Sequence, residues 1–433
     1  MNLPPQFSYR DGQLFIEDVS AAAIAAQFGT PAYVYSRAAL LGAYAAYAGP
    51  LASRDGGGGS MVCYAVKANS NLAILDLFAQ AGAGFDIVSG GELERVLAVG
   101  GRPERVIFSG VGKTAFEMRR ALDVGIGCFN IESLSEARQL AEVARRAGKQ
   151  APVSLRVNPD VDARTHPYIA TGLKESKFGV AYTEAIDVYR TMAAMPELSI
   201  LGVDCHIGSQ LLDAEPLIAS LDKLIALVDA LDVEGIAVSH LDLGGGVGIP
   251  YGDESSAASI DLADYLQRVF ERVDRWRATR HGGRPIRLLF EPGRSLVGNT
   301  GALLTRTLVL KPGTVKNVAI VDAAMTALLR PALSAAWHGV VPIRETLQEP
   351  TVSWDVVGPV CESGDWLARA RDLSLAEGDI LAILSAGAYG MTMASNYNSR
   401  PRAPEVIVDG TRLHLVRRRE RTEELYASES VLP

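Results

Sequence analysis

Between residues 62 and 290 the chain repeatedly sets a short apolar run rich in Val and Ile against a longer stretch with helical spacing. The candidate strands are Val62 to Val66, Gly84 to Val88, Arg105 to Phe108, Gly127 to Ile131, Val153 to Val157, Gly202 to His206, His240 to Leu243 and Arg287 to Phe290. The intervening helices include Leu72 to Ala81, Gly91 to Val99, Thr114 to Leu122, Ser133 to Ala147, Tyr182 to Met195, Glu215 to Leu231 and Leu262 to Thr279. This alternation demands a parallel sheet, because each helix must carry the chain back before the next strand begins. About eight such units over about 230 residues suit a (β/α)8 TIM-like barrel, with a doubly wound open sheet as the competitor. The polar residues separate the two. Lys67, Asp86, Ser89, Ser109, Glu132, Arg156, Asn158, His206, the glycines after Leu243 and Glu291 all stand at or just beyond strand C-terminal ends. A closed barrel gathers them on one rim, whereas an open sheet spreads them along an edge.

Before the barrel, a strand is expected around Gln13 to Ile16 and helices from Ser20 to Phe28 and Arg37 to Tyr47. The run Asp55-Gly56-Gly57-Gly58-Gly59-Ser60 then breaks regular structure. After about Leu303 strand-like segments dominate: Leu303 to Leu310, Val318 to Asp322, Val352 to Val356, Ile380 to Leu384, Glu405 to Val408 and Arg412 to Val416. The expected division is an N-terminal segment over 1–35 whose strand joins the β domain, a barrel over 36–302 and a mostly β C-terminal domain over 303–433.

Composition narrows the partners. Of 433 residues, 48% are hydrophobic and 21% charged, the balance of an ordinary globular protein. The net charge of -8 argues against nucleic acid and anionic membrane, both of which reward basic faces, so a small-molecule partner is expected. Cys63, Cys128, Cys205 and Cys361 show no C-x-x-C spacing, so neither a metal site nor a disulfide framework is expected. The opening Met1 to Pro5 has no basic stretch followed by an apolar one, which suits a cytoplasmic setting.

Four stretches carry chemistry. In Tyr64-Ala65-Val66-Lys67-Ala68-Asn69-Ser70-Asn71 a lysine ends a strand. Burial would favour its neutral amine, the nucleophile toward an aldehyde, while the plainer alternative is a side chain that snorkels to water. Asp242-Leu243-Gly244-Gly245-Gly246-Val247-Gly248 suits a phosphate cradle after strand seven, or else a tight turn with close packing. It is not a dinucleotide fingerprint, because Ile249 stands where the third glycine belongs. Glu291-Pro292-Gly293-Arg294 and Cys205-His206-Ile207-Gly208-Ser209-Gln210 add a carboxylate, a guanidinium, an imidazole and a hydroxyl to the same rim, the plainer alternatives being an ion pair and a structural histidine.

Together with Phe108 to Lys113, His166 to Ile169, Gly172 to Lys174, Lys177 to Gly179, Val357 to Asp365, Gly387 to Gly390 and Asn396 to Pro401, these motifs resemble the diaminopimelate decarboxylases over nearly the whole chain. The resemblance implies an alanine-racemase-like barrel with a β domain, pyridoxal 5'-phosphate as cofactor and a homodimer with shared active sites. Lys67 would hold the cofactor covalently, Glu291 would face its ring nitrogen and His206 would cover one ring face. Ser209, Gly246 and the backbone from Glu291 through Gly293 to Arg294 would bind its phosphate, with Tyr389 touching both cofactor and substrate. Cys361, from the partner subunit, would return a proton to the substrate carbon after CO2 leaves. Arg294 and Arg330 would hold the distal carboxylate of meso-2,6-diaminopimelate and Glu362 its ammonium, with L-lysine as product. One position departs from the family: Ser334 replaces a tyrosine expected at the distal carboxylate. A decarboxylase for another amino acid and a non-catalytic pyridoxal phosphate carrier are the alternatives.

Overall fold

The computed structural model describes residues 3–55, 59–162, 177–251, 259–279, 285–345 and 351–433. The motif residues His166 to Ile169 and Gly172 to Lys174, and Gly56 to Gly58 of the glycine run, lie outside them. The described chain divides into two units, one of Ala43–Gly248 with Ala258–Ser295, the other of Met1–Gly42, Ile249–Ala257 and Leu296–Pro433.

The first unit is the predicted closed barrel. Its strands are β1 (Met61–Ala65), β2 (Gly84–Ile87), β3 (Val106–Phe108), β4 (Cys128–Ile131), β5 (Ala151–Asn158), β6 (Leu198–Asp204), β7 (His240–Asp242) and β8 (Arg287–Phe290). They pair in parallel in chain order. Phe290 of β8 registers with Val62 of β1 to close the ring. Helix caps repeat after the strands and explain why the chain turns where it does. Asn71, Ser89, Thr114 and Ser133 each accept a hydrogen bond from a first-turn N–H of the helix that follows, and Thr114 with Glu117 forms a reciprocal capping box.

Alternation along the strands stacks side chains into the barrel interior. Gly202 registers with His240 and Asp204 with Asp242, so an imidazole lies one layer below a pair of carboxyl groups. Position 202 must be glycine for this to fit, since a Cβ there would stand 2.1 Å from His240 Nε2. His240 is 1% exposed, and neither ring nitrogen has a hydrogen-bond partner among the described residues.

In the second unit the Gln13–Ile16 strand appears as predicted, but it pairs with Phe7–Arg10 and Val19–Ser20 in a small antiparallel sheet. The N-terminal strand that joins the large sheet is Ala32–Ser36, antiparallel to Gly301–Lys311 and parallel to Glu405–Asp409. All five of its residues are buried, so it lacks the alternation that marks a half-exposed strand. The helix predicted to end at Tyr47 runs from Arg37 to Asp55 with Pro50 inside it. Among the described residues no helix is long and apolar enough to cross a membrane.

Burial lowers the His240 pKa to about 3, Arg287 adding to the effect. An unfolded imidazole titrates near about 6.5. Between these values the unfolded chain binds the extra proton, so this group's contribution to stability is complete above the upper value and is lost as pH falls toward the lower. In urea unfolding, the wild-type free energy relative to His240→Leu should decline by about 1 kcal/mol per pH unit below about pH 6. A difference that stays constant from pH 7 to 4 would contradict a neutral buried imidazole.

Candidate active site

Lys67 leaves the end of β1 in a single 3-10 turn, Val66–Ala68. The polar residues after it hold that turn. Tyr64 donates its hydroxyl to the Asn69 carbonyl at 2.8 Å, and the Asn69 side chain accepts from the N–H of Asn71, itself the cap of the next helix. Lys67 Nζ is 2.5 Å from Oδ2 of the fully buried Asp86 on β2. Of the two readings of this lysine, a neutral amine kept by burial is not what is seen. The Lys67 side chain is 40% exposed, and a carboxylate at this distance favours the ammonium.

Three rim loops meet backbone to backbone. After β6, His206 Nδ1 accepts the Gly245 N–H at 3.2 Å, which leaves the ring proton of the neutral imidazole on Nε2. Burial, then Arg156 and Lys67, push the His206 pKa well below its usual value. After β7, Gly244 donates to Asp242 Oδ1 at 3.0 Å and accepts from the Glu291 N–H at 2.7 Å. A Cβ at Gly245 would lie 2.3 Å from the Glu291 carbonyl, and one at Gly246 would lie 2.5 Å from the Gly208 carbonyl. Gly246 also sits at φ +108°, where other residues are strained. After β8, Arg294, buried, donates through Nη2 to Ser209 Oγ at 3.0 Å. Gly293 lies beside it in the Glu291-to-Arg294 turn.

The carboxyl side of the site is crowded. Oxygens of Asp204, Asp242 and Glu291 all lie within 4.8 Å of one another. Asn130 Nδ2 reaches Glu291 Oε1 at 3.4 Å. Burial first, then the neighbouring Asp242, Asp86 and Asp204, raises the Glu291 pKa well above the carboxylate range. Desolvation likewise raises those of Asp204 and Asp242. Arg156 answers part of this charge, yet its Nη1 is engaged by Glu132 Oε1 at 3.2 Å. Asp86, Asn130, Arg156, Asp204 and Asp242 were not assigned roles from the sequence. Their signal was available in the period of two that sends polar strand residues inward.

The remaining predicted residues belong to the other unit. Arg330 opens the short helix Arg330–Ser334, where Ser334 Oγ donates back to the Arg330 carbonyl at 3.2 Å. Cys361 and Glu362 are exposed on a loop organised by the buried Asp365. The carboxylate of Asp365 accepts the N–H groups of Met325 at 2.6 Å and Val360 at 2.8 Å. Tyr389 adopts a left-handed backbone, φ 55°.

The rim fits a group that is cationic at one end and anionic at the other. Crowded acids around Glu291 suit a protonated ring nitrogen, while glycine backbone, Ser209 and Arg294 suit a phosphate. Lys67 on the same rim carries an amine of the kind an aldehyde takes. The pattern described as pyridoxal-dependent decarboxylase, pyridoxal binding domain, matches residues 55–298. The chain is 56% identical to the diaminopimelate decarboxylase of Pseudomonas aeruginosa over 427 residues, 99% of each. It is 51% identical to that of Vibrio cholerae over 428 residues, again 99% of each. Among solved structures, diaminopimelate decarboxylase from M. jannaschii in co-complex with L-lysine superposes with a TM-score of 0.93 at 35% identity, covering 99% of each chain. The enzyme from Helicobacter pylori complexed with L-lysine does so at 0.87 and 40% identity, covering 94% of this chain and 98% of that one.

Gly246→Ala must both leave a favoured backbone conformation and push the Gly208 carbonyl away. We expect this variant to lose about 1 to 3 kcal/mol of stability and to bind pyridoxal phosphate at least about tenfold more weakly. Absorbance titration against the wild type measures the second effect, and unchanged binding would place the phosphate elsewhere.

Proposed function

The chain belongs to the diaminopimelate decarboxylases, and on that premise we propose how its own residues carry out the reaction. It is a pyridoxal-phosphate-dependent carboxy-lyase that converts meso-2,6-diaminopimelate to L-lysine and CO2, acting at the D centre. The observation that carries this reading is identity of 56% over 99% of both chains, joined to a barrel rim that holds Lys67 beside the buried Asp86.

When bound, pyridoxal phosphate supplies an electron sink for the pair left as the bond to the carboxylate breaks. The chain's residues do the rest. Lys67 would hold the cofactor through its side-chain amine. Asp86, in contact with Lys67 Nζ, is the acceptor for the proton the ammonium must shed. Glu291 would face the ring nitrogen, and the neighbouring acids would favour positive charge there. His206, neutral and oriented by the Gly245 N–H, would cover one ring face without adding a competing cation. Ser209, Gly246, Gly293 and Arg294 would bind the phosphate, and Tyr389 would touch cofactor and substrate. Cys361 Sγ donates the proton that replaces CO2 on the substrate carbon. Arg294 and Arg330 take the distal carboxylate and Glu362 the distal ammonium.

Cys361 and Glu362 act on the partner's barrel in a homodimer. Their exposure in the single chain, unlike the buried acids of the barrel, supports that assignment. We place the enzyme in the cytoplasm, where its free thiols, Cys63, Cys128, Cys205 and Cys361, stay reduced. Ser334 favours a second reading, a related decarboxylase whose preferred amino acid has a different distal end.

Purified protein with added pyridoxal phosphate should release CO2 from the meso isomer and not from the LL isomer. Turnover of ornithine or arginine ahead of the meso substrate would instead establish the second reading. Borohydride reduction should fix the cofactor to Lys67, and label found on Lys113, Lys174 or Lys177 would refute the anchor. Cys361→Ala should lower kcat by about 100-fold or more while the bound-cofactor absorbance is retained.

A further inference from the structure

Arg330 is held from two directions within its own unit. Its guanidinium carbon lies 4.7 Å from the centre of the Tyr251 ring, and Nη1 is 3.0 Å from His338 Nε2. The same imidazole stands edge-on to Tyr251, with ring centres 5.0 Å apart at 75°. His338 is completely buried, and its other nitrogen, Nδ1, lies 2.9 Å from the Leu384 carbonyl.

These contacts determine where the ring proton sits. A carbonyl can only accept, so Nδ1 carries the hydrogen and donates to Leu384. In the neutral ring Nε2 then presents a lone pair, and a guanidinium, which can only donate, is its matched partner. The Leu384 carbonyl is itself well placed. Leu384 donates its N–H to the Gly339 carbonyl at 2.8 Å, and Val340–Pro342 pairs with Ile380–Ile383 just beyond. Backbone pairing thus sets the ring, and the ring sets the guanidinium.

His338 and Tyr251 are both uncharged partners. A neutral acceptor and an aromatic face orient a guanidinium without cancelling its charge, whereas a carboxylate would orient and neutralise it together.

We propose that His338 is a positioning residue for substrate recognition, its Nε2 lone pair holding the Arg330 guanidinium in the orientation that grips the substrate's distal carboxylate. The inference rests on the reading of Arg330 as a substrate ligand. It adds a residue that touches neither substrate nor cofactor and acts only through Arg330.

The test compares His338→Gln, whose amide oxygen can replace the Nε2 acceptor, with His338→Met, which has similar reach and no comparable acceptor. Arg330→Gln serves as the control, with all proteins saturated with pyridoxal phosphate. The Met variant should raise KM for meso-diaminopimelate by about tenfold with kcat within about threefold of wild type, and the Gln variant should keep KM within about twofold. A buried residue with a merely structural role would lower the amount of active enzyme in both variants alike and leave KM unmoved. Should the Met variant fail to fold, His338→Asn, which keeps the donor to Leu384 and loses the acceptor for Arg330, should show the same rise in KM. If Arg330→Gln raises KM while the Gln, Met and Asn variants all match wild type, the inference falls and the reading of Arg330 stands. If Arg330→Gln leaves KM unchanged, Arg330 is not a substrate ligand and both fall.

Discussion

Four acidic side chains, Asp86, Asp204, Asp242 and Glu291, are buried at the C-terminal end of the barrel interior, and the chemistry of the rim depends on that crowding. Burying even one carboxylate in a low-dielectric interior is unfavourable unless it is paired or protonated. Lys67 answers Asp86 directly. Arg156 is shared with Glu132, so the remaining acids lean toward their protonated forms, as the raised pKa values of Asp204, Asp242 and Glu291 express. A region so short of positive charge stabilises a cation brought to it, and a protonated pyridine nitrogen is such a cation. Strand register produces this environment. Asp204 and Asp242 face each other because β6 and β7 pair Gly202 with His240 two residues earlier.

The loops that continue from these acids are governed by contact as well as by charge. Loops after β6, β7 and β8 approach until carbonyls fill the space that side chains at Gly244, Gly245 and Gly246 would occupy. This packing aligns His206, the glycine backbone and Glu291 along one wall. The wall also fixes the His206 tautomer through Gly245, so the ring's hydrogen bonding follows from backbone geometry and not from a charged neighbour.

The barrel was legible because each βα unit announces itself locally, by an apolar run, a capping residue and a helical period. Lys67, His206, the glycine loop and Glu291 could be placed on one rim for the same reason. What escaped was whatever depends on two strands at once. Asp86 stands on β2, and nothing between Tyr64 and Asn71 reveals that it would pair with Lys67 and oppose the neutral amine that burial alone suggests. Ala32–Ser36 escaped because a strand buried on both faces has no alternation, and Tyr35 is tied by its hydroxyl to the distant Glu405 at 2.8 Å. The helix through Pro50 escaped because proline in sequence reads as a stop, although tertiary packing can sustain the helix past it.

Ser334 shows how such long-range relations bear on specificity. A serine hydroxyl is too short to substitute for a phenol, and here it is turned back to the Arg330 carbonyl four residues earlier, the usual alternative for serine within a helix. A carboxylate deprived of the family tyrosine loses one neutral donor, about 0.5 to 1.5 kcal/mol, while a guanidinium contributes a charge-assisted bond of about 1.5 to 3 kcal/mol. On the proposed reading of these residues, recognition of the distal carboxylate rests more heavily on the cations, and the cation beside Ser334 is Arg330. The gain from a charged bond is realised only when the planar fork is already aligned, because a mobile guanidinium spends part of it on ordering the side chain. The Tyr251 face and the His338 lone pair restrict that motion before substrate arrives, so the substitution at 334 makes the orientation of Arg330 matter more.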